Sequence, residues 1–173
     1  MGLEPALKPA VATSRTAHIS VMATRGTLAS AKYAALRDSF AGSATVRAVP
    51  CDGLVKAIEG FDTEAIATLC ARYMAEAGPF GDAAGDVDTV VLGCTHYPLV
   101  KDLLQRHAPA TLRFIDTGAP VAQQTRRVLA SIGRLSDGEG GLILQSSGDQ
   151  SELEVAAARW LQISPQGTTA TSA

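Results

Sequence analysis

Val90-Val91-Leu92-Gly93-Cys94-Thr95-His96-Tyr97-Pro98 is the stretch on which the reading of the chain turns. Its apolar, β-branched first part is the pattern of a fully buried strand, and Gly93 ends it. A thiol, a hydroxyl and an imidazole then follow on consecutive residues. Pro98 suits the first turn of a helix, where a missing N–H costs nothing. Strand, turn and helix in this order belong to a parallel α/β sheet, which holds its reactive groups in loops at strand carboxyl ends.

The pattern repeats on both sides. His18–Ala23 reads as a short buried strand ended by Thr24-Arg25-Gly26-Thr27, and residues 28–40 as the helix that follows. Thr45–Val49 is a second strand, closed by Pro50. Asp52 or Gly53 opens a short helix to Ile58, and Asp62 caps a longer one carrying Ile66, Leu69, Cys70, Tyr73 and Met74. Residues 78–86 form a loop, 87–92 the third strand, and 98–107 a helix. Residues 112–115 are expected as a fourth strand, 118–132 as a helix, 133–141 as a loop and 142–145 as a fifth strand. Ser146-Ser147-Gly148-Asp149 turns into a last helix over 151–161, and the small, polar tail from Ser164 is expected to be disordered. Alternating strands and helices predict an α/β fold with an open parallel sheet and flanking helices.

Composition narrows the function. Of 173 residues, 46% are hydrophobic but only 5% aromatic, so Ala, Val and Leu must fill the core. A net charge of −2 with no basic tract argues against nucleic acid and anionic membranes as partners. No apolar run reaches membrane-spanning length, and residues 1–12 lack the pattern of a signal peptide. Three cysteines without disulfide-like spacing point to a reducing, cytoplasmic setting.

Cys94 precedes a helix start, whose free N–H groups favour an anion, a thiolate included. His96 can bond to a substrate, donate a proton or stabilise that thiolate. The competing reading makes Cys94 a small buried hydrophobe and His96 a loop histidine. Zinc is disfavoured, because Cys-Thr-His is not ligand spacing and neither Cys51 nor Cys70 has a partner in register. The Thr24–Thr27 turn suits a carboxylate or phosphate, or is a plain helix cap by Thr27. Neither nucleotide-binding glycine pattern occurs. Ser146–Asp149 reads better as a cap than as an anion site. Cys70 reads as core, and Cys51, after a proline at a strand end, as structural in preference to a loop thiol near the cleft. Glu59 ends a short helix, either solvated or facing the cleft, and His18 and His107 are structural.

Gly93-Cys94-Thr95-His96-Tyr97-Pro98 resembles the second cysteine motif of glutamate racemase, in the aspartate/glutamate racemase superfamily. Glu4-Pro5-Ala6-Leu7-Lys8-Pro9-Ala10, Ala23-Thr24-Arg25-Gly26-Thr27, Ile115-Asp116-Thr117-Gly118 and Ser147-Gly148-Asp149 are also similar to that family, in the same order. The resemblance runs from about Gly2 to Leu161. It implies racemisation of L- and D-glutamate, without cofactor or metal, in support of peptidoglycan synthesis. In such enzymes one thiolate removes the α-proton and a second thiol returns one to the opposite face. Carried onto this chain, Cys94 is one of the two thiols and His96 assists it. Thr95, Thr24 and Thr27 bind substrate, with Glu59 as an acidic residue near the site.

The family's first lobe carries Asp-Ser-Gly, Tyr-Gly and Cys-Asn-Thr-Ala motifs, and none of these strings occurs here. The resemblance therefore implies a C-terminal part. Residues 1–15 would be a crossover, 16–116 the second lobe, 117–162 a segment that would complete the first lobe, and 163–173 a tail. On that reading the chain supplies only the second thiol. Val121, Val128, Leu129, Ile132, Leu142, Ile143, Leu144 and Leu153 would lack the lobe they pack on, which invites a homodimer. Two alternatives stand beside it: a non-catalytic remnant or interaction domain, and an aspartate or hydantoin racemase.

Overall fold

A computed structural model describes residues 5–136, 138 and 141–163. It divides into two compact units, Met1–Thr125 and Arg126–Ala173. The expected disordered tail lies outside the described residues.

The first unit is built on four parallel strands, β1 (His18–Ala23), β2 (Thr45–Pro50), β3 (Thr89–Leu92) and β4 (Arg113–Ile115), in the order β2-β1-β3-β4. Period-two alternation along β1 sends Ile19, Val21 and Ala23 into one apolar cluster with Leu7 and Ala10 of α1 (Leu7–Thr13), Tyr33 and Val91. On β1's other face, Ser20 donates its hydroxyl to the Ala77 carbonyl at 2.7 Å, tying the sheet to the end of α5 (Thr63–Ala77). Helix α5 buries Ile66, Cys70, Tyr73, Met74 and Ala77, and Asp62 caps it by accepting from the Ala65 N–H at 2.9 Å, as expected. Between β2 and α5, α4 spans Leu54–Glu59.

Several boundaries differ from the sequence reading for local reasons. The helix expected over 28–40 is two, α2 (Arg25–Leu28) and α3 (Ala31–Asp38). Thr24, not Thr27, caps α2, and Ser30 interrupts the run by accepting from the Tyr33 N–H at 3.1 Å and capping α3. The third strand begins at Thr89 rather than Val87, because Val87 donates its N–H to the Pro79 carbonyl at 2.8 Å instead of joining the ladder. Asp88, 3% exposed, accepts hydrogen bonds from Ser14, Arg15, Thr16, Thr89 and Arg113. Burial opposes its ionisation, but these hydrogen bonds prevail and hold its carboxyl at about 2. The helix expected over 98–107 is a 3₁₀ turn, Tyr97–Val100, followed by the short α6 (Lys101–Gln105).

Helix α7 (Gly118–Ser131) leads into the second unit, which also holds α8 (Gln150–Leu161). Asp149 caps α8 through the N–H groups of Ser151 (2.7 Å) and Glu152 (3.1 Å), so the Ser146–Asp149 turn is a cap as read. The fifth strand over 142–145 is not formed. Leu142 and Ile143 are 53% and 76% exposed, and among the described residues no strand pairs with this segment. An extended stretch without a ladder partner has nothing to hold it as a strand.

Candidate functional site

Strand order reverses between β1 and β3, since the chain passes from β1 outward to β2 and returns to β3 on β1's other side. In an open parallel sheet such a switch point leaves a crevice beyond the strand carboxyl ends. A cavity of about 240 Å³ lies there, lined by Pro5, Thr24, Thr27, Gly93, Cys94, Thr95 and Thr117. Thr24 and Thr27 follow β1, Cys94 and Thr95 follow β3, and Thr117 follows β4. Gly93 makes the junction close: a Cβ there would stand 3.1 Å from both the Ala23 Cβ and the Met22 carbonyl oxygen. Its N–H continues the ladder to that same carbonyl at 2.8 Å.

The Thr24 and Thr27 hydroxyls are 2.9 Å apart, and Thr24 Oγ1 also accepts from the Thr27 N–H at 3.3 Å. Arg25, the cation of this turn, hydrogen-bonds Asp52 at the surface and does not line the cavity. His96 is not a lining residue either. Its Nε2 is 3.0 Å from Glu59 Oε1, and its Nδ1 is 3.9 Å from Cys94 Sγ and 3.5 Å from Thr95 Oγ1. An ionised carboxylate only accepts, so the contact with Glu59 puts a proton on Nε2 and, in the neutral ring, leaves Nδ1 as the acceptor facing the thiol. The arrangement is thus a thiol, an imidazole and a carboxylate in series, beside a cavity walled by hydroxyls.

Cys51 and Cys70 stand apart from this chemistry. Cys51 is 2% exposed and donates its thiol to the Val49 carbonyl at 3.4 Å, and burial pushes it up to about 12. Burial likewise pushes Cys70 up to about 11. Both stay thiols at neutral pH, while Cys94 is the cysteine that reaches the cavity. Among the described residues no group of three or more His, Cys, Asp or Glu could hold a metal ion. Nor is any helix long and apolar enough to cross a membrane.

The chain is 44% identical over 151 residues to the glutamate racemase of Pseudomonas syringae pv. tomato, which covers 86% of this chain and 53% of that protein. The chain is related to glutamate racemases over about half their length. Among solved structures, the glutamate racemase of Escherichia coli, bound to L-glutamate and the activator UDP-MurNAc-Ala, is similar with a TM-score of 0.71 and 26% identity, over 92% of this chain and 61% of that one. A glutamate racemase isoform of Bacillus anthracis shares the fold with a TM-score of 0.75 at 23% identity, over 94% of this chain and 61% of that one. No protein-family model matches the chain.

The cavity brings together four of the six residues expected at the site: Cys94, Thr95, Thr24 and Thr27. His96 and Glu59 join through Cys94 and Thr95 rather than through the wall. Periodicity did not single out Pro5 or Thr117. Both lie in phrases that carry the family resemblance, and that was their one signal in the sequence.

Proposed function

We propose that the chain carries one half of a cofactor-independent glutamate racemase, with Cys94 as one of two acid/base thiols. The observation that carries this reading is Cys94 at the wall of a switch-point cavity, with His96 Nδ1 at 3.9 Å, in a chain 44% identical to a glutamate racemase. In the forward step the Cys94 thiolate forms an S–H bond as the substrate's Cα–H bond breaks. The electron pair remains on Cα and spreads into its carboxylate. A thiol on the opposite face then gives its proton to Cα, inverting the centre, and its sulfur keeps the electron pair. His96, held by Glu59, takes and returns the Cys94 proton between turnovers. Thr24, Thr27 and Thr95 receive the carboxylates, as neutral donors stabilising the negative charge that develops at the α-carbon. The D-glutamate produced would serve peptidoglycan synthesis.

The second thiol is not supplied by this unit: Cys51 and Cys70 are buried. We therefore assign residues 16–116 to a catalytic lobe and 117–162 to a segment that completes another. Turnover then requires an opposing thiol from outside these residues, and the exposed apolar residues of the second unit favour self-association when none is present.

Circular dichroism of D-glutamate solutions tests the catalytic reading. The chain alone is expected to leave the signal almost unchanged while exchanging the α-proton for deuterium in D₂O. Adding the other lobe of the Pseudomonas syringae racemase is expected to give racemisation that Cys94→Ser abolishes. Neither exchange nor turnover under both conditions would make the chain a non-catalytic domain.

A further inference from the structure

Four of the seven residues lining the cavity are threonines, and none carries a positive charge. A carboxylate entering it must be met by neutral donors, and each of its oxygens only accepts. Donors are scarce. The Thr24 and Thr27 hydroxyls, 2.9 Å apart, share a hydrogen bond, so the pair has one O–H proton left for a ligand. Thr95 Oγ1 lies 3.5 Å from His96 Nδ1, against the Cys94–His96–Glu59 series. The Thr117 side chain has no hydrogen bond among the described residues. Its backbone is nonetheless fixed, because the Thr117 carbonyl accepts the Val121 N–H at 3.0 Å in the first turn of α7. The neighbouring Asp116 is engaged, with Oδ1 accepting the Gly118 N–H at 2.8 Å.

We propose that Thr117 is a substrate-binding residue, donating its hydroxyl proton to a carboxylate of the amino acid held against Cys94. The proposal rests on the cavity being a glutamate site. It adds a donor from the end of β4 to those from the ends of β1 and β3, so that three successive positions across the sheet grip one ligand.

The test is a titration of the ¹⁵N-labelled full chain with L-glutamate and D-glutamate, followed through the amide shifts of Thr24, Cys94 and Thr95. Thr117→Val keeps the shape and removes the hydroxyl, and Thr117→Ser keeps the hydroxyl and removes the methyl. Wild type is expected to bind, Thr117→Val about tenfold more weakly, and Thr117→Ser within about twofold of wild type. Equal binding by wild type and Thr117→Val would overturn the role of Thr117 while leaving the glutamate site standing. Thr117→Ser as weak as Thr117→Val, with an otherwise unchanged spectrum, would also overturn it, since the methyl would then be what matters. A wild-type chain that binds neither isomer, alone or with the other lobe of the Pseudomonas syringae racemase added, would overturn both this proposal and the reading beneath it.

Discussion

The two units use the same kind of side chain to opposite ends. In the first, Ile19, Val21, Leu54, Ile58, Ile66, Val91, Leu92 and Leu104 are all at most 1% exposed. In the second, Ala157 is the one buried residue among those described, while Val128, Ile132, Leu135, Leu142, Ile143, Val155 and Leu161 are 42% to 76% exposed. These seven are the large exposed hydrophobics of the whole described chain. Both units contain capped helices, so local signals do not separate them. Local signals shape a helix, but only neighbours on a second layer turn its apolar side chains into a core. The alignment that covers 86% of the chain reaches into the second unit, and there the relatives are about twice as long as the matched region.

Like substitutions in the two units should have the most unequal effects. Leu92→Ala is expected to destabilise the first unit by about 2–5 kcal/mol, because it opens a cavity in a filled core. Ile143→Ala is expected to cost less than about 0.5 kcal/mol, because a residue 76% exposed loses almost nothing. Chemical denaturation of each variant reads both. Ile143→Lys should leave the melt in place and move sedimentation toward the monomer. A compact, stable wild-type monomer would remove the argument for self-association.

A smaller effect concerns how the first unit is anchored at the end of the sheet opposite the cavity. The carboxyl of Asp88 sits near 2 in the fold, below the usual value near 4 of an unfolded chain. Its contribution is therefore complete above about pH 4 and is lost as pH falls from about 4 to about 2, amounting to about 2 kcal/mol. Asp88→Asn is expected to lower stability at neutral pH by about that amount and to flatten the acid limb of the stability curve. An unchanged acid limb would show that the carboxylate contributes nothing there.

The smallest expected effect is at Tyr33, whose buried hydroxyl has no hydrogen-bond partner among the described residues. Tyr33→Phe removes a desolvated polar atom and keeps the ring, so it should leave stability unchanged or raise it by up to about 1 kcal/mol. A clear loss would mean that the hydroxyl is satisfied in solution.

Where sequence reading succeeded, the signal was local and strong. The apolar run His18–Ala23 has the same bounds in the structure, and Asp62 caps α5 as its position before the periodic residues suggested. Where it failed, the deciding partner was distant in sequence or absent. Nothing in residues 28–40 says that Ser30 will cap rather than continue a helix. Val87 looks like strand until Pro79 takes its N–H. Residues 142–145 have the composition of a strand but, among the described residues, no neighbour to pair with. The site followed the same rule. Cys94, Thr95, Thr24 and Thr27 were legible because each follows an obvious strand, whereas β4 is three half-buried residues and Thr117 gained its place only when the sheet brought its end to the others.

Gly93 sets a dimension of the cavity without contributing any chemistry to it. The ends of β1 and β3 meet across this residue at a separation that would crowd a methyl group, with the Met22 carbonyl and the Ala23 Cβ each 3.1 Å from where one would stand. A side chain there would have to part the two strand ends by a few tenths of an ångström, carrying Cys94 and Thr95 away from Thr24 and Thr27. The bore of the cavity is thus gauged by a contact between backbone and an alanine methyl, and its tolerance is finer than the length of any bond made inside it.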